Sequence, residues 1–141
     1  MVAFIAAAET AKRENNDDEL RKNLEAANEI FRGEFMEGLY EDWAEEQRPF
    51  YQEQFSRVLN ALAKLSVSQK RWIDALKFAG QILTIDPYRE DLHRLTMKVL
   101  AAQSKPAAVL KHYEDMKGLL KDELGIEPSA ETKRLVKELI K

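Results

Sequence analysis

A 34-residue internal repeat constrains this 141-residue chain more than any other feature of its sequence. When the chain is compared with itself at a shift of 34 positions, apolar residues align with apolar residues. The spacing of apolar residues within each repeat is three or four, which predicts helices, so the repeat predicts stacked helix pairs. The aligned pairs are Val58 with Leu92, Ala61 with Leu95, Leu65 with Val99, Ala75 with Val109 and Leu76 with Leu110.

Helical spacing also recurs outside the repeat, and no strand-like alternation is long enough to indicate a sheet. The chain has only five glycines and four prolines, whereas strand-rich folds usually need more turn residues. We therefore expect an all-α fold of about seven antiparallel helices within one domain, residues 1–141. The predicted helices cover about 3–14, 17–32, 42–66, 72–84, 89–102 and 106–123, with a last one opened by Pro128 and Ser129. Pro49 should kink or interrupt the third.

Thirty-four residues is the period of a tetratricopeptide helix pair, which is the fold that the repeat indicates. Leu62, Ala75 and Pro87 stand where that pattern places a large residue, a small residue and a closing proline. Small residues let paired helices approach closely, and proline ends the second helix of a pair. Gly125 supplies the stop for the sixth helix. The residues predicted to be buried where the helices stack are Leu59, Leu62, Ala75, Leu76, Val99, Leu110 and Tyr113.

A polar face runs along the first helix of each repeat. In the first repeat it carries Arg57, Asn60, Lys64 and Ser68, and 34 residues later Asp91, Arg94, Lys98 and Ala102. In tetratricopeptide stacks this face lines the concave groove. We take Arg57, Asn60, Lys64, Arg94 and Lys98 as the candidate partner-binding residues. The alternative is that these side chains are simply solvated and bind no partner.

The charge of the chain is unevenly distributed. Residues 1–50 contain 13 acidic and 6 basic side chains, whereas residues 51–141 contain 12 acidic and 16 basic ones, within a total of −3. Such asymmetry can guide association, so the acidic N-terminal part of a second copy is one candidate partner for the basic residues. Solvated helix faces are the alternative interpretation.

Several other functions find no support in the sequence. The absence of cysteine excludes disulfides and thiolate metal sites and favours a reducing cytoplasm. The N-terminal apolar run lacks the features of a signal peptide, and no stretch is long enough for a membrane span. His93 and His112 are the only histidines, and no phosphate-binding glycine loop is present. We therefore expect no catalytic residue, metal or cofactor, and we expect the protein not to be an enzyme.

Three stretches of the sequence resemble the bacterial transcriptional activator domain of SARP-type regulators. Phe31–Trp43 is similar to its arginine-glycine loop leading to a tryptophan, Ile85–Leu95 to its central turn between helix pairs, and Asp122–Ser129 to its closing signature. The resemblance covers nearly the whole chain and implies a tetratricopeptide-like fold. It also implies that Trp43 is a packing residue, which we expect to contact the loop over residues 35–40.

The resemblance implies a function in transcription regulation through a partner domain. Members of the family stand beside a DNA-binding domain, commonly a winged helix of the OmpR kind on the N-terminal side. These 141 residues leave no room for one, and the sequence pI of about 5.5 argues against DNA binding by this chain alone. We therefore expect part of a longer regulator that acts as a regulatory protein-interaction or oligomerisation module. A free-standing scaffold or adaptor is the main alternative, and a small-molecule sensor or enzyme a more remote one.

Two positions depart from the family pattern. Pro49 lies where the family tends to run an unbroken helix, and Ser104-Lys105-Pro106 replaces a turn that usually contains glycine. Both are expected to alter the shape of the chain locally.

Overall fold

The computed structural model describes the backbone of residues 2–31 and 48–140 and the side chains of residues 6–29 and 52–140. This part of the chain is helical and contains no strand, which confirms the all-α, tetratricopeptide-like fold class. The helices are α1 (Val2–Arg13), α2 (Asp17–Phe31), α3 (Arg48–Ser68), α4 (Trp72–Ile85), α5 (Glu90–Ala102), α6 (Pro106–Leu119) and α7 (Ala130–Leu139).

Trp43, most of the first family-like motif and the predicted helical residues 42–47 lie outside the described residues. The predicted contact between Trp43 and the loop over residues 35–40 is therefore still a prediction. Pro49 is the second residue of α3 as described.

The helices fall into two compact units, Met1–Gln69 and Lys70–Lys141. In the first unit α1 packs on α2 and α2 packs on α3. Small side chains allow the close approach: Ala8, Ala11 and Ala27 are all buried. On α3 the buried apolar residues recur at three- and four-residue spacing, as an amphipathic helix requires. They include Phe55, Leu59, Leu62 and Ala63.

Arg21 joins α2 to α3 in the first unit. Its guanidinium group donates to the hydroxyl of Ser66 and to the side-chain oxygen of Gln69, both at 3.2 Å. The nitrogen Nε of Arg21 also lies 3.0 Å from the carboxylate of Glu25. Because Arg21 is buried, these bonds are what allows a charged side chain to lie between two helices.

In the second unit α5 packs on α4, α6 and α7, and α6 also packs on α7. Buried Met97, Val109 and Val136 come from three different helices and form one apolar cluster. Tyr113 is partly buried against this cluster. The helix α4 contributes Ala75, Phe78, Ala79 and Ile82, all of them buried.

The prediction that Leu110 is buried is wrong, since its side chain is 45% exposed. The buried residues of α6 are Val109 and Met116, seven positions apart, so the core-facing stripe runs beside Leu110. Leu76 is only half-buried, while Leu59, Leu62, Ala75 and Val99 are buried.

Gly125 ends the predicted sixth helix, as expected, but the last turn before it is not regular α-helix. Regular helix stops at Leu119, and a π-helical turn over Leu120–Leu124 follows. Gly125 then adopts a left-handed conformation, with φ +64°, which glycine tolerates better than other residues. In the turn before α6, Ser104 has φ +59°, so this residue adopts the conformation for which the family's usual glycine is suited.

Candidate interaction surface

The predicted partner-binding residues of the first repeat lie on α3. Lys64 and Arg57 are exposed, and Arg57 donates to the Glu53 carboxylate at 2.9 Å. This pair is worth little, because both side chains are more than half exposed to water, and it leaves the guanidinium group accessible. Asn60 is half-buried, and its side-chain oxygen has no hydrogen-bond partner among the described residues.

The predicted residues of the second repeat lie on α5 and differ from each other in their surroundings. Lys98 is exposed, whereas the Arg94 side chain is only 19% exposed. Arg94 donates to the hydroxyl of Thr132 at 3.0 Å and lies 3.7 Å from the Glu131 carboxylate. Arg94 therefore fastens α5 to α7, and less of its charge is available to a partner.

Lys64 and Lys98 occupy the same position in the two repeats, 34 residues apart. Both are exposed, and neither has a hydrogen bond or ion pair with another of the described residues. The cation Arg57 is not repeated in this way: the residue 34 positions later is Asp91, which is paired with Arg89 at 2.7 Å. One position of the predicted strip thus carries, in both repeats, a cation that has no partner among the described residues. Because the two lysines belong to different units, the strip as one surface is still a prediction.

A groove of about 230 Å³ lies between α5 and α7. Arg94, Lys98 and Arg134 line it together with the apolar side chain of Leu135, and two carboxylates, Glu131 and Glu138, also border it. Small-molecule pockets usually exceed about 300 Å³ and are mainly apolar. The size and charge of this groove suit a polar or charged side chain of a partner better than an enclosed ligand.

A second groove, of about 220 Å³, lies among the three helices of the first unit. Leu20, Leu24 and Val58 give it apolar walls, and Lys12 and Arg57 also line it. Arg57 is thus beside apolar surface that a partner side chain could cover.

The sequence analysis missed an ionic and hydrogen-bonded link between α5 and α7. The carboxylate of Glu90 accepts from the Thr132 hydroxyl at 2.7 Å and from the Ser129 amide at 3.0 Å. Ser129 caps α7 by accepting from the amide of Thr132 at 3.3 Å, which confirms the predicted cap. Glu90 lies in the central motif and Ser129 ends the closing motif, so the link joins two of the three family-like stretches.

The pKa of Glu90 reflects these contacts. Burial favours the neutral acid, but the hydrogen bonds from Thr132 and Ser129 and the positive charge of Arg94 outweigh it and lower the pKa below its ordinary value. Glu90 is therefore charged at neutral pH and acts as an anionic acceptor at the start of α7, where the helix dipole also favours negative charge.

The described residues contain no group of three or more metal-ligating side chains. Within the same ranges, no helix is both long enough and apolar enough to cross a membrane.

The family model for the bacterial transcriptional activator domain matches residues 1–140. A curated relative, the regulatory protein AfsR of Streptomyces coelicolor, is 28% identical over 125 residues. That match covers 89% of this chain but 13% of the relative.

Proposed function

Because this chain belongs to the bacterial transcriptional activator domain family, we propose that it is the regulatory protein-interaction module of a transcriptional regulator. Its role is to couple partner binding or self-association to a DNA-binding domain outside these 141 residues. The relative named a regulatory protein supports this role, since this chain spans only 13% of its length and the remainder has room for other domains.

The repeated cation is the observation that carries the interaction role. Lys64 and Lys98 recur at one repeat position on the first helix of each pair, exposed and without a partner among the described residues. A structural role would pair or bury at least one of them, as happens with Arg94 at the neighbouring position. Unpaired cations at equivalent sites favour a partner of opposite charge.

The partner that the charges favour is an acidic protein segment. Residues 1–50 have a net charge of −7, from 13 acidic and 6 basic side chains, so a second copy of this chain offers such a segment. Charges at the rim of an interface act mostly on the association rate, and salt screens them beyond roughly 8 Å at physiological ionic strength. Binding through these lysines therefore depends on salt.

Sedimentation equilibrium of the chain across a salt series tests the proposal. Self-association at low salt that weakens as salt rises supports it. A monomer at low salt and high protein concentration rules out a second copy as the partner and leaves a foreign acidic protein.

A free-standing adaptor is the second candidate function, because stacked helix pairs serve as scaffolds in many settings. The reading frame around the gene distinguishes the two. A DNA-binding domain encoded in the same frame supports the regulator, and a frame limited to these helices supports the adaptor. Either role is non-enzymatic. Either also fits the reducing cytoplasm, because disulfides do not persist there and a chain without cysteine forms none.

A further inference from the structure

His93 and His112 form a hydrogen-bonded pair between α5 and α6. Nδ1 of His93 lies 2.9 Å from Nε2 of His112, and the ring centroids are 5.0 Å apart. The other ring nitrogen of His93, Nε2, lies 2.8 Å from the carbonyl oxygen of Pro87. His93 is buried and His112 is half-buried. The pair therefore joins the turn after α4, the start of α5 and the middle of α6.

The geometry limits how many protons the pair can hold. A carbonyl oxygen only accepts, so Nε2 of His93 carries a proton. If His93 is neutral, its Nδ1 accepts from Nε2–H of His112. The neutral pair therefore holds two protons. A third can be accommodated if it binds Nδ1 of His93, which then donates to Nε2 of His112, while the proton of His112 moves to its own Nδ1. A fourth proton would place two N–H groups against each other at a nitrogen separation of 2.9 Å.

From this geometry we infer that the His93–His112 pair is a proton-sensitive joint that holds α5 against α6 and opens in acid. The closed pair holds at most three protons, whereas two separated imidazoles hold four. At least one proton is therefore bound only when the joint opens, and proton linkage then makes opening easier as the pH falls. This device is independent of the lysines proposed to bind a partner.

The surrounding charges do not remove this limit. Asp115 on α6 acts on His112 and raises its pKa, but burial and the neighbouring His93 lower it further, so the net shift is downward. Several charged groups on the turn before α5, on α5 and on α4 have other partners. Asp86 accepts from the Tyr88 amide, Arg89 pairs with Asp91, and Glu90 accepts from Ser129 and Thr132 on α7. On α4, Asp74 pairs with Arg71, and the Lys77 ammonium group lies over the ring of Phe78.

The sign of the pH effect follows from the lowered pKa of His112. A histidine whose pKa is depressed in the folded state contributes full stability above its unfolded value of about 6.5. That contribution is lost as the pH falls from this value toward the folded pKa, because the unfolded chain binds the proton first. The window that matters is therefore just below pH 6.5.

The first repeat supplies a matched control. The residues 34 positions before His93 and His112 are Leu59 and Phe78, and both are buried. The double variant His93→Leu with His112→Phe replaces each histidine with the apolar residue found 34 positions earlier in the same sequence. This variant should keep the helix packing and lose the proton limit.

The experiment is urea unfolding of the 141-residue chain between pH 7.5 and 5.5, combined with amide hydrogen exchange and imidazole ¹⁵N shifts. One proton bound only by the open form raises the unfolding equilibrium constant about fivefold between pH 6.5 and 5.5. We expect this increase in the wild type and not in the double variant. At pH 7.5 both imidazoles should carry their proton on Nε2, and exchange in α6 should quicken as the pH falls.

Two results would overturn the inference. One is the uptake of two added protons with exchange in α6 unchanged, and the other is an equal pH dependence in the wild type and the double variant.

If the double variant does not fold, His112→Gln serves instead, because its amide can still donate to Nδ1 of His93 but does not titrate. An unchanged pH dependence in that variant would contradict the joint equally.

Discussion

The carboxylate of Glu90 accepts a hydrogen bond from the hydroxyl of Thr132, 42 residues further along the chain, at 2.7 Å. Glu90 begins α5 and Thr132 lies in the first turn of α7. Because Thr132 is buried and also receives the Arg94 guanidinium at 3.0 Å, the contact fixes the last helix of the chain on α5. The groove that contains Lys98 lies between these two helices, so Glu90 also sets the geometry of part of the candidate surface.

Glu90→Gln should destabilise the protein by roughly 1.5–3 kcal/mol, the usual value of hydrogen bonds to a charged group. The amide keeps the shape of the side chain but removes the negative charge to which the Ser129 amide and the Thr132 hydroxyl donate and which Arg94 faces at 3.9 Å. Urea unfolding at neutral pH measures the effect. Glu131→Gln is the matched control on α7, because Glu131 is 70% exposed and lies 3.7 Å from Arg94. A loss from the Glu90 variant no larger than that of the control would mean that the link does not hold α7.

The stability difference between the wild type and Glu90→Gln should depend on pH. The folded-state pKa of Glu90 is lowered from 4.5, so its contribution is fully present above that value. It should be lost as the pH falls through the lower folded pKa, because the unfolded chain takes up the proton more readily. Urea unfolding of both proteins from neutral pH down to pH 3 tests this. A difference that stays constant over the range would be inconsistent with a charged acceptor.

Leu62→Asp should unfold or severely weaken the first unit. Leu62 is completely buried, and an unpaired carboxylate there costs several kcal/mol. Leu110→Asp is the control for the same chemical change at a side chain that is 45% exposed, where we expect less than about 1 kcal/mol. Thermal unfolding followed by circular dichroism compares the two. Equal melting temperatures would show that the core of the first unit is misplaced.

Gly125→Ala should cost about 1–2 kcal/mol, because a side chain at φ +64° is strained whatever space surrounds it. Gly118→Ala should have the opposite sign. Gly118 lies inside α6 with nothing within 4 Å of an added Cβ, so alanine should stabilise the helix by about 0.5–1 kcal/mol. Both variants add one methyl group in place of a hydrogen atom. Chemical denaturation of each measures its free energy of unfolding. Destabilisation by both would mean that backbone conformation is not what distinguishes these glycines.

The fold was predictable because its signals are local and repeated. The 34-residue repeat places Val58 and Leu92, and likewise Leu65 and Val99, in equivalent buried positions. Ser129 was predictable as a cap because the hydroxyl and the following helix are adjacent in the sequence. The exposure of Leu110 was not predictable, because helix periodicity identifies an apolar face only to within one neighbouring position.

The links across the second unit were not predictable for a different reason. Glu90 and Thr132, or His93 and His112, become neighbours only through helix packing, and residue type alone does not indicate such pairs. Arg94 shows the same limit: this cation was predicted to lie on the polar face that lines the groove, and its guanidinium group donates to Thr132 on α7. A possible signal for Glu90 was its position in the central motif, since Ser129 ends another motif that the resemblance also singled out.

Charge reversal at the repeated lysines tests the proposed interaction role most directly. Lys64→Glu combined with Lys98→Glu changes the two exposed cations that share a repeat position, and Lys121→Glu combined with Lys137→Glu makes the same charge change at exposed sites elsewhere. Sedimentation equilibrium at low salt compares both variants with the wild type. We predict that the wild type and the second variant self-associate, and that the first stays monomeric with unchanged helical content. Self-association of the first variant equal to that of the wild type would contradict an interaction through Lys64 and Lys98.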